Sequence, residues 1–410
     1  MLHCIDFFSH SPEADCGKLS TREVCLLMKE KLLRIGSYVL VAALATVTTL
    51  ALVDHTSGLE PTKLEQLEEL IEERFIGDAD LEAVEDAAAD AMVTATGDRW
   101  SYYIPASEYE AYREQMANAY VGVGITIQLT EEKEGFLITD VAEGGPAEEA
   151  GLETEDLVIA VEDQDIREMT TAEVRDLVRG EGGTFVSLTV MRKGETMTFS
   201  VERRQVQTPV ATYEMLDDSI GLVTIVNFDS RCADETIAAI EALLEKGAKK
   251  LIFDVRHNPG GYASELVEVL DYLLPEGELF RTVRYDGKEN VDMSDADFLD
   301  IPMAVLVNAG SYSAAEFFAA ALSEYEAATV VGEQTVGKGY FQTTYQLNDG
   351  SAVALSIGEY FTPKGENLAG VGVTPDVVVP VDEETANGIY YGTLTPEEDP
   401  QIQAAVKALK

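Results

Sequence analysis

Apolar positions change their period three times along the chain. Residues 35–53 are a run of 19 without a charged side chain. As a helix rising about 1.5 Å per residue, that run covers roughly 28 Å, close to the hydrocarbon thickness of a bilayer. Between 61 and 97, Leu64, Leu67, Leu70, Ile71 and Phe75 recur at helical spacing, and Gly77 separates them from a second, Ala- and Glu-rich helical stretch. From about residue 118 the period falls to two, through Val123, Ile125 and Ile127, then Phe136 and Ile138, and later Val186, Leu188, Val190 and Phe199. Beyond 205, short apolar runs alternate with helical patterns. The run 220–228 precedes a helix over 234–246, 251–256 leads through Asn-Pro-Gly-Gly into a helix from about 263 to 274, 303–308 precedes another, and 329–332 follows. This alternation predicts a mostly parallel sheet covered by helices.

The pattern divides the chain into an N-terminus (1–34), a transmembrane anchor or signal segment (35–53), an N-terminal helical region (61–117), a β-rich domain (118–204), an α/β core (205–385) and a C-terminal helix or tail (386–410). Lys29, Lys31 and Arg34 precede the apolar run and Asp54 follows it, which leaves the N-terminus cytoplasmic and exports the body. The residues around Thr49, Ala51 and Val53 make a poor cleavage site, favouring a single-pass anchor in the cell membrane over a cleaved signal and secretion. Met28 opens a self-contained basic and apolar leader, so translation is expected to start there, with 1–27 an upstream extension. The acidic helices of 61–97 suit either a solvated packing role or a homo-oligomerisation arm.

Charge narrows the functional classes. Against 75 Asp+Glu stand 29 Lys+Arg, a net charge of −46. Phosphate binding needs clustered cations, so nucleic acid is excluded as a partner. Cys4, Cys16 and Cys25 precede the apolar run and Cys232 stands alone in the body, which rules out a disulfide framework there and offers no zinc ribbon. Histidine is confined to His3, His10, His55 and His257.

Residues 144–166 read as a turn, a short helix and a strand, and Tyr120–Ile127 spell YVGVGITI. Together they resemble a PDZ domain of the circularly permuted bacterial type. Residues Val121, Gly122, Val123, Gly124 and Ile125 then match its peptide-binding loop. Successive backbone N–H groups near the two glycines can cradle a carboxylate, and the adjoining strand edge can add a peptide strand. Arg192 or Arg179 is the expected charge partner of that carboxylate. A bulge glycine in an ordinary strand is the plainer alternative.

Three loops follow strand ends in the α/β core, where open sheets place their sites: 257–261, 308–316 and 332–342. Ser313 stands at a helix start, and Ser313-x-x-Glu316 has the spacing of a capping box. The same position also presents a hydroxyl beside first-turn N–H groups that can hold an oxyanion. Residues 332–338 fit G-x-x-x-x-G-K, but Gly339 replaces the Ser/Thr that would hold Mg²⁺ and a strand follows where a P-loop needs a helix. Lys338 is either a surface lysine in a Gly-rich turn or a desolvated amine whose lowered pKa suits a general base. His257 is the only histidine that could serve Ser313 instead.

In order, DVRHNPGG (254–261), GSYSAAE (310–316), VVGEQTVGKGYFQ (330–342), YFTPKG (360–365) and GVGVTPDVVV (370–379) resemble the landmarks of carboxy-terminal processing (tail-specific) serine proteases, over roughly residues 65–385. The resemblance implies an α/β core like those of Clp protease and crotonase, with an inserted-style PDZ β-sandwich. It also implies a Ser-Lys-Gln triad: Ser313 as nucleophile, Lys338 as general base, Gln342 as the lysine's positioner. Gly260 or Gly261, with Ala314, would supply the oxyanion hole. Substrates would be polypeptides with free C-termini, and neither metal nor cofactor is needed. Tyr312 and Ala315 depart from the family's small residue and second serine, leaving Ser311 as a lesser nucleophile candidate, and His257 stands where Asn is usual. The rivals are an inactive PDZ adaptor on a protease scaffold and a crotonase-type acyl-CoA enzyme, the latter disfavoured by acidity and export.

Overall fold

A computed structural model describes residues 36–46, 61–130, 134–142 and 144–409. The chain divides into two units, Met1–Glu85 and Asp86–Lys410. In the first, residues 36–46 are helical, with Tyr38, Val39, Leu40 and Val41 exposed. Lys63–Arg74 is a second helix, opened by a reciprocal cap in which Thr62 N–H donates to the Glu65 carboxylate at 2.6 Å. Its Leu64, Leu67 and Leu70 stay exposed. The expected membrane span, 35–53, lies only partly within the described residues. Among the described residues no helix is long and apolar enough to cross a membrane, and 47–53 and 1–34 lie outside them.

The second unit is built on a six-stranded sheet. Ala211–Met215 pairs antiparallel with Ile220–Ile225, and Lys250–Asp254, Met303–Val307, Ala328–Gly332 and Val377–Val378 follow in parallel. The central strands read as unbroken apolar runs because both faces are covered. Met303, Val305 and Val307 pack with the helices Cys232–Glu245, Ala263–Leu273 and Ala314–Glu324, while Ala304 and Leu306 pack with Ile402, Ala405 and Leu409. The last three belong to the helix Pro400–Ala408 and its end, so the C-terminal tail closes the second face of the sheet. Asp399 caps that helix and also pairs with buried Arg256, which binds Asp254 on the central strand.

A second sheet joins Tyr102–Ile104, Ala352–Phe361, Gly277–Arg284 and Glu289–Ser294, with Tyr340–Gln346 pairing to Ala352–Phe361. This corrects the N-terminal helical region. Leu81–Thr94 and Ala106–Met116 are helices, but between them Tyr102–Ile104 is a strand of this sheet. Tyr-Tyr-Ile favours strand and finds an open edge in Ala352–Ala354.

The PDZ-like domain has its own core around Phe136, Ile138, Val158, Val186, Leu188 and Val190. Its sheet runs Ile125–Leu129, Phe136–Val141, Leu157–Val161, Phe185–Arg192, Glu195–Glu202. A two-stranded ribbon, Ala119–Gly122 with Arg204–Gln207, carries the chain into and out of the domain.

Candidate active site

The loop after Met303–Val307 is fastened at several points. Ser311 is fully buried, donates to Val255 C=O at 2.7 Å and accepts from Asn308 N–H, so this hydroxyl is committed to the loop. The Asn308 carboxamide oxygen accepts the N–H groups of His257 and Gly310, and the imidazole of His257 contacts the Asn308 amide at 2.8 Å. Burial, helped by neighbouring Arg256, lowers the His257 pKa. His257 holds two loops together and forms no hydrogen bond to Ser313 among the described residues.

Ser313 follows with φ +59° and ψ −128°, a region an L-residue occupies only under constraint. The constraint comes from Glu316, which is fully buried and accepts four hydrogen bonds. Its donors are Ser313 N–H (3.1 Å), Lys338 N–H (2.9 Å), Gly337 N–H (2.7 Å) and the Thr335 hydroxyl. The carboxylate expected to close a helix cap therefore ties the serine turn to the lysine loop. The Ser313 hydroxyl lies 2.7 Å from Tyr360 Oη, itself buried at the end of Ala352–Phe361.

Beside the serine, Gly260 has φ +88°, and a Cβ there would sit 2.6 Å from Ser313 Cβ. A Cβ on Gly261 would sit 2.1 Å from Phe228 O. Only glycine allows this approach. The Gly260 N–H already donates to Asn258 Oδ1 at 2.8 Å, so Gly260 is corrected as an oxyanion donor in this arrangement. The N–H groups of Gly261 and Ala314 have no partner among the described residues, and the latter belongs to the first turn of the helix.

Lys338 is partly buried with its amine 4.9 Å from the centre of the Trp100 ring and 5.8 Å from that of Tyr312, two rings stacked at 5.9 Å. Burial lowers its pKa to about 8, against the opposing pull of Asp98 and Glu316. Ser313, Lys338, Gln342, Gly260, Gly261 and Tyr360 all open onto one cleft of about 980 Å³. The structure brings the three expected triad members to that cleft without joining them. No hydrogen bond links Ser313 to Lys338 or Lys338 to Gln342 among the described residues. The Gln342 amide donates to Ser356 Oγ (2.9 Å) and Tyr340 C=O (3.2 Å). Among the described residues no cluster of three or more His, Cys, Asp or Glu side chains could hold a metal.

Three participants escape sequence reasoning: Trp100, Tyr360 and the cross-loop role of Glu316. Trp100 is the sole tryptophan, a signal of composition only, and Tyr360 lies inside the YFTPKG landmark without any chemical cue of its own.

In the PDZ-like domain, Ile125–Leu129 is the edge strand of its sheet, and the helix Thr171–Val178 packs against it. Gly124 has φ +77°, and Val123 is buried with its carbonyl taken by Ala147 N–H. Arg192 is corrected as a carboxylate partner: it is bound to Asp156 (2.6 Å), Glu153 and Gly151 C=O. Arg179 has no acidic partner among the described residues and lies over the Tyr120 ring at 5.4 Å.

This geometry has counterparts. Residues 219–379 match the model of peptidase family S41, and 137–192 match that of a PDZ domain. A probable CtpA-like serine protease of Staphylococcus saprophyticus is 30% identical over 345 residues, covering 82% of this chain and 70% of the relative. One from Staphylococcus aureus is 28% identical over 371 residues, covering 88% of this chain and 74% of the relative. A crystal structure described as an S41 protease of Bacteroides fragilis superposes with a TM-score of 0.54 at 15% identity, covering 86% of this chain and 98% of that one, and so shares the fold. The chain is a serine-type peptidase carrying a PDZ domain. It belongs to peptidase family S41, among the carboxy-terminal processing proteases.

Proposed function

We propose that this chain is an endopeptidase that captures the C-terminus of a polypeptide in its PDZ domain and cleaves it through an acyl-enzyme on Ser313. The observation that carries the reading is a constrained serine, beside the N–H groups of Gly261 and Ala314, sharing a cleft with a lysine of pKa about 8. Lys338 leaves the faces of Trp100 and Tyr312, in its neutral form, and takes the proton of Ser313. Oγ then attacks the substrate carbonyl, and the carbonyl electron pair moves to an oxygen held by the two N–H groups. The protonated lysine gives its proton to the leaving amine as the C–N bond breaks, and water completes the cycle through the same base. Gln342 orients the amine once its bond to Ser356 is exchanged.

The edge strand Ile125–Leu129 adds the substrate's last residues by β-augmentation, with Gly122 to Gly124 receiving the carboxylate and Arg179 supplying its countercharge. Attachment to the cell membrane through 35–53, an extracytoplasmic body and self-association through 61–97 belong to the same proposal.

Incubation with an unstructured protein substrate tests the chemistry. Ser313→Ala and Lys338→Ala are each expected to abolish cleavage. Full cleavage by the lysine variant would remove it as the base, and cleavage by the serine variant would remove the nucleophile.

A further inference from the structure

We infer that Tyr360 is a fourth catalytic residue, whose phenol donates a hydrogen bond to Ser313 Oγ throughout the reaction. The inference rests on the assignment of Ser313 as nucleophile and adds a group outside the triad.

The geometry is specific. Tyr360 Oη lies 2.7 Å from Ser313 Oγ, and Ser313 is its only hydrogen-bond partner among the described residues. The ring is wedged against Phe317 (4.5 Å between centroids), Phe280 (5.4 Å) and Phe341 (6.0 Å), so the phenol has little freedom to turn away. The backbone of Tyr360 is also fixed, its N–H on Gly339 C=O and its own C=O on Asn367. Gly339 directly follows Lys338, so one short stretch positions both the base and this phenol.

Which oxygen donates follows from chemistry. A phenol, with an ordinary pKa near 10, is a stronger donor and weaker acceptor than an aliphatic alcohol. Burial raises the Tyr360 pKa further, so its proton stays in place across the working pH range. With Tyr360 donating, one lone pair of Oγ is occupied and the serine's own proton remains free for Lys338.

The reaction then balances without any transfer from Tyr360. The Oγ–H bond breaks and its proton goes to neutral Lys338 Nζ. Oγ bonds to the carbonyl carbon, and the C–N bond breaks as Nζ returns the proton to the amine. In deacylation, water gives a proton to Nζ and attacks the same carbon. The Oγ–C bond breaks and Oγ takes the proton back. At the two points where Oγ carries most negative charge, deprotonation and departure, the Tyr360 bond becomes charge-assisted and strengthens. Such a bond accelerates chemistry and leaves substrate binding alone.

The test measures peptide cleavage and the rate of labelling by a fluorophosphonate, which reports serine nucleophilicity directly. Tyr360→Phe removes one oxygen and keeps the aromatic packing. A fall in kcat of about 10- to 100-fold is expected, the size of a lost hydrogen bond to a charged group. KM should hold, labelling should slow in parallel, and the acid limb of the pH profile should stay in place. Unchanged or increased kcat overturns the inference, the latter making Tyr360 a latch on a resting serine. A displaced acid limb also overturns it, because Tyr360 would then act through Lys338. End-point labelling counts folded sites, so a folding defect shows as lost stoichiometry. Should that occur, 3,5-difluorotyrosine at 360 preserves shape while acidifying the phenol. It should add an alkaline limb to the rate profile, and an unaltered profile counts against the proposal. Ser313→Ala in parallel separates the two assignments: if that variant still cleaves, the nucleophile is wrong; if it is dead while Tyr360→Phe is normal, only the role of Tyr360 fails.

Discussion

As the proposed general base, Lys338 would have to lose a proton before accepting one, and its pKa of about 8 would decide when. Below that value the neutral fraction falls tenfold per unit, so kcat/KM should rise with that slope and level off above pH 8. The same burial weakens the fold. Between about 8 and the ordinary lysine value of 10.5, the unfolded chain holds a proton that the folded one has released. The penalty is therefore complete below pH 8 and is relieved as pH rises. Lys338→Met, inactive, should be the more stable protein at pH 7, by about 1–2 kcal/mol after discounting for partial exposure. Thermal denaturation at pH 7 and pH 10 checks both sign and window, since the gain should shrink at the higher pH. Glu316→Gln acts on the same amine from the other side. Its amide nitrogen meets N–H donors where an oxygen accepted them, so the loops separate and kcat falls. Removing a charge that holds the Lys338 pKa up should move the acid limb to lower pH. A limb that stays put would leave Glu316 with no electrostatic part.

At the level of elements, the site is made where three strand ends meet, and its tolerance is set by backbone proximity. Gly260→Ala would place a methyl group 2.6 Å from Ser313 Cβ on a residue with φ +88°. Activity should fall at least 100-fold from misplacement of the serine, while strain costs about 1–3 kcal/mol of stability. Activity close to wild type in a folded variant would show that the turn can yield. Much of this was legible in the sequence, because the buried parallel strands are continuous apolar runs and the loops that follow them carry glycine, serine and lysine. The remainder needed contacts that period and motif do not encode. Ser313-x-x-Glu316 reads locally as a cap, yet Glu316 also satisfies Thr335, Gly337 and Lys338, because helix and loop converge in space. Trp100 reaches Lys338 because the short strand Tyr102–Ile104 pairs with Ala352–Ala354, a registration across 250 residues that no local pattern announces. Arg192 looked available as a cation and is consumed by Asp156, buried beside it.

At the scale of the whole molecule, the PDZ domain and the Gly260-Gly261 turn share a polar joint. Asn118, where the ribbon begins, exchanges two side-chain hydrogen bonds with Asn227 (2.6 and 2.9 Å) and donates to Asp229 at 2.8 Å. Arg231 braces the same point by binding Asp229 and Thr208 C=O at the ribbon's other strand. Between Asn227 and Asp229, Phe228 receives the turn: its N–H donates to Gly260 C=O and its carbonyl accepts from Tyr262 N–H. A displacement of the ribbon on peptide capture would therefore reach Gly260 and Gly261 through a single intervening residue. The joint is half-buried and fully hydrogen-bonded, so it can hold discrete arrangements more readily than it can stretch. Asn118→Ala breaks it at the ribbon side. If capture of a C-terminus is transmitted here, the wild type should cleave a substrate with a free carboxylate faster than its amidated twin. In Asn118→Ala that preference should collapse toward unity, with the amidated rate nearly retained. A thermal midpoint lowered in the variant while the preference survives would make the joint a brace for the domain and leave transmission to another route.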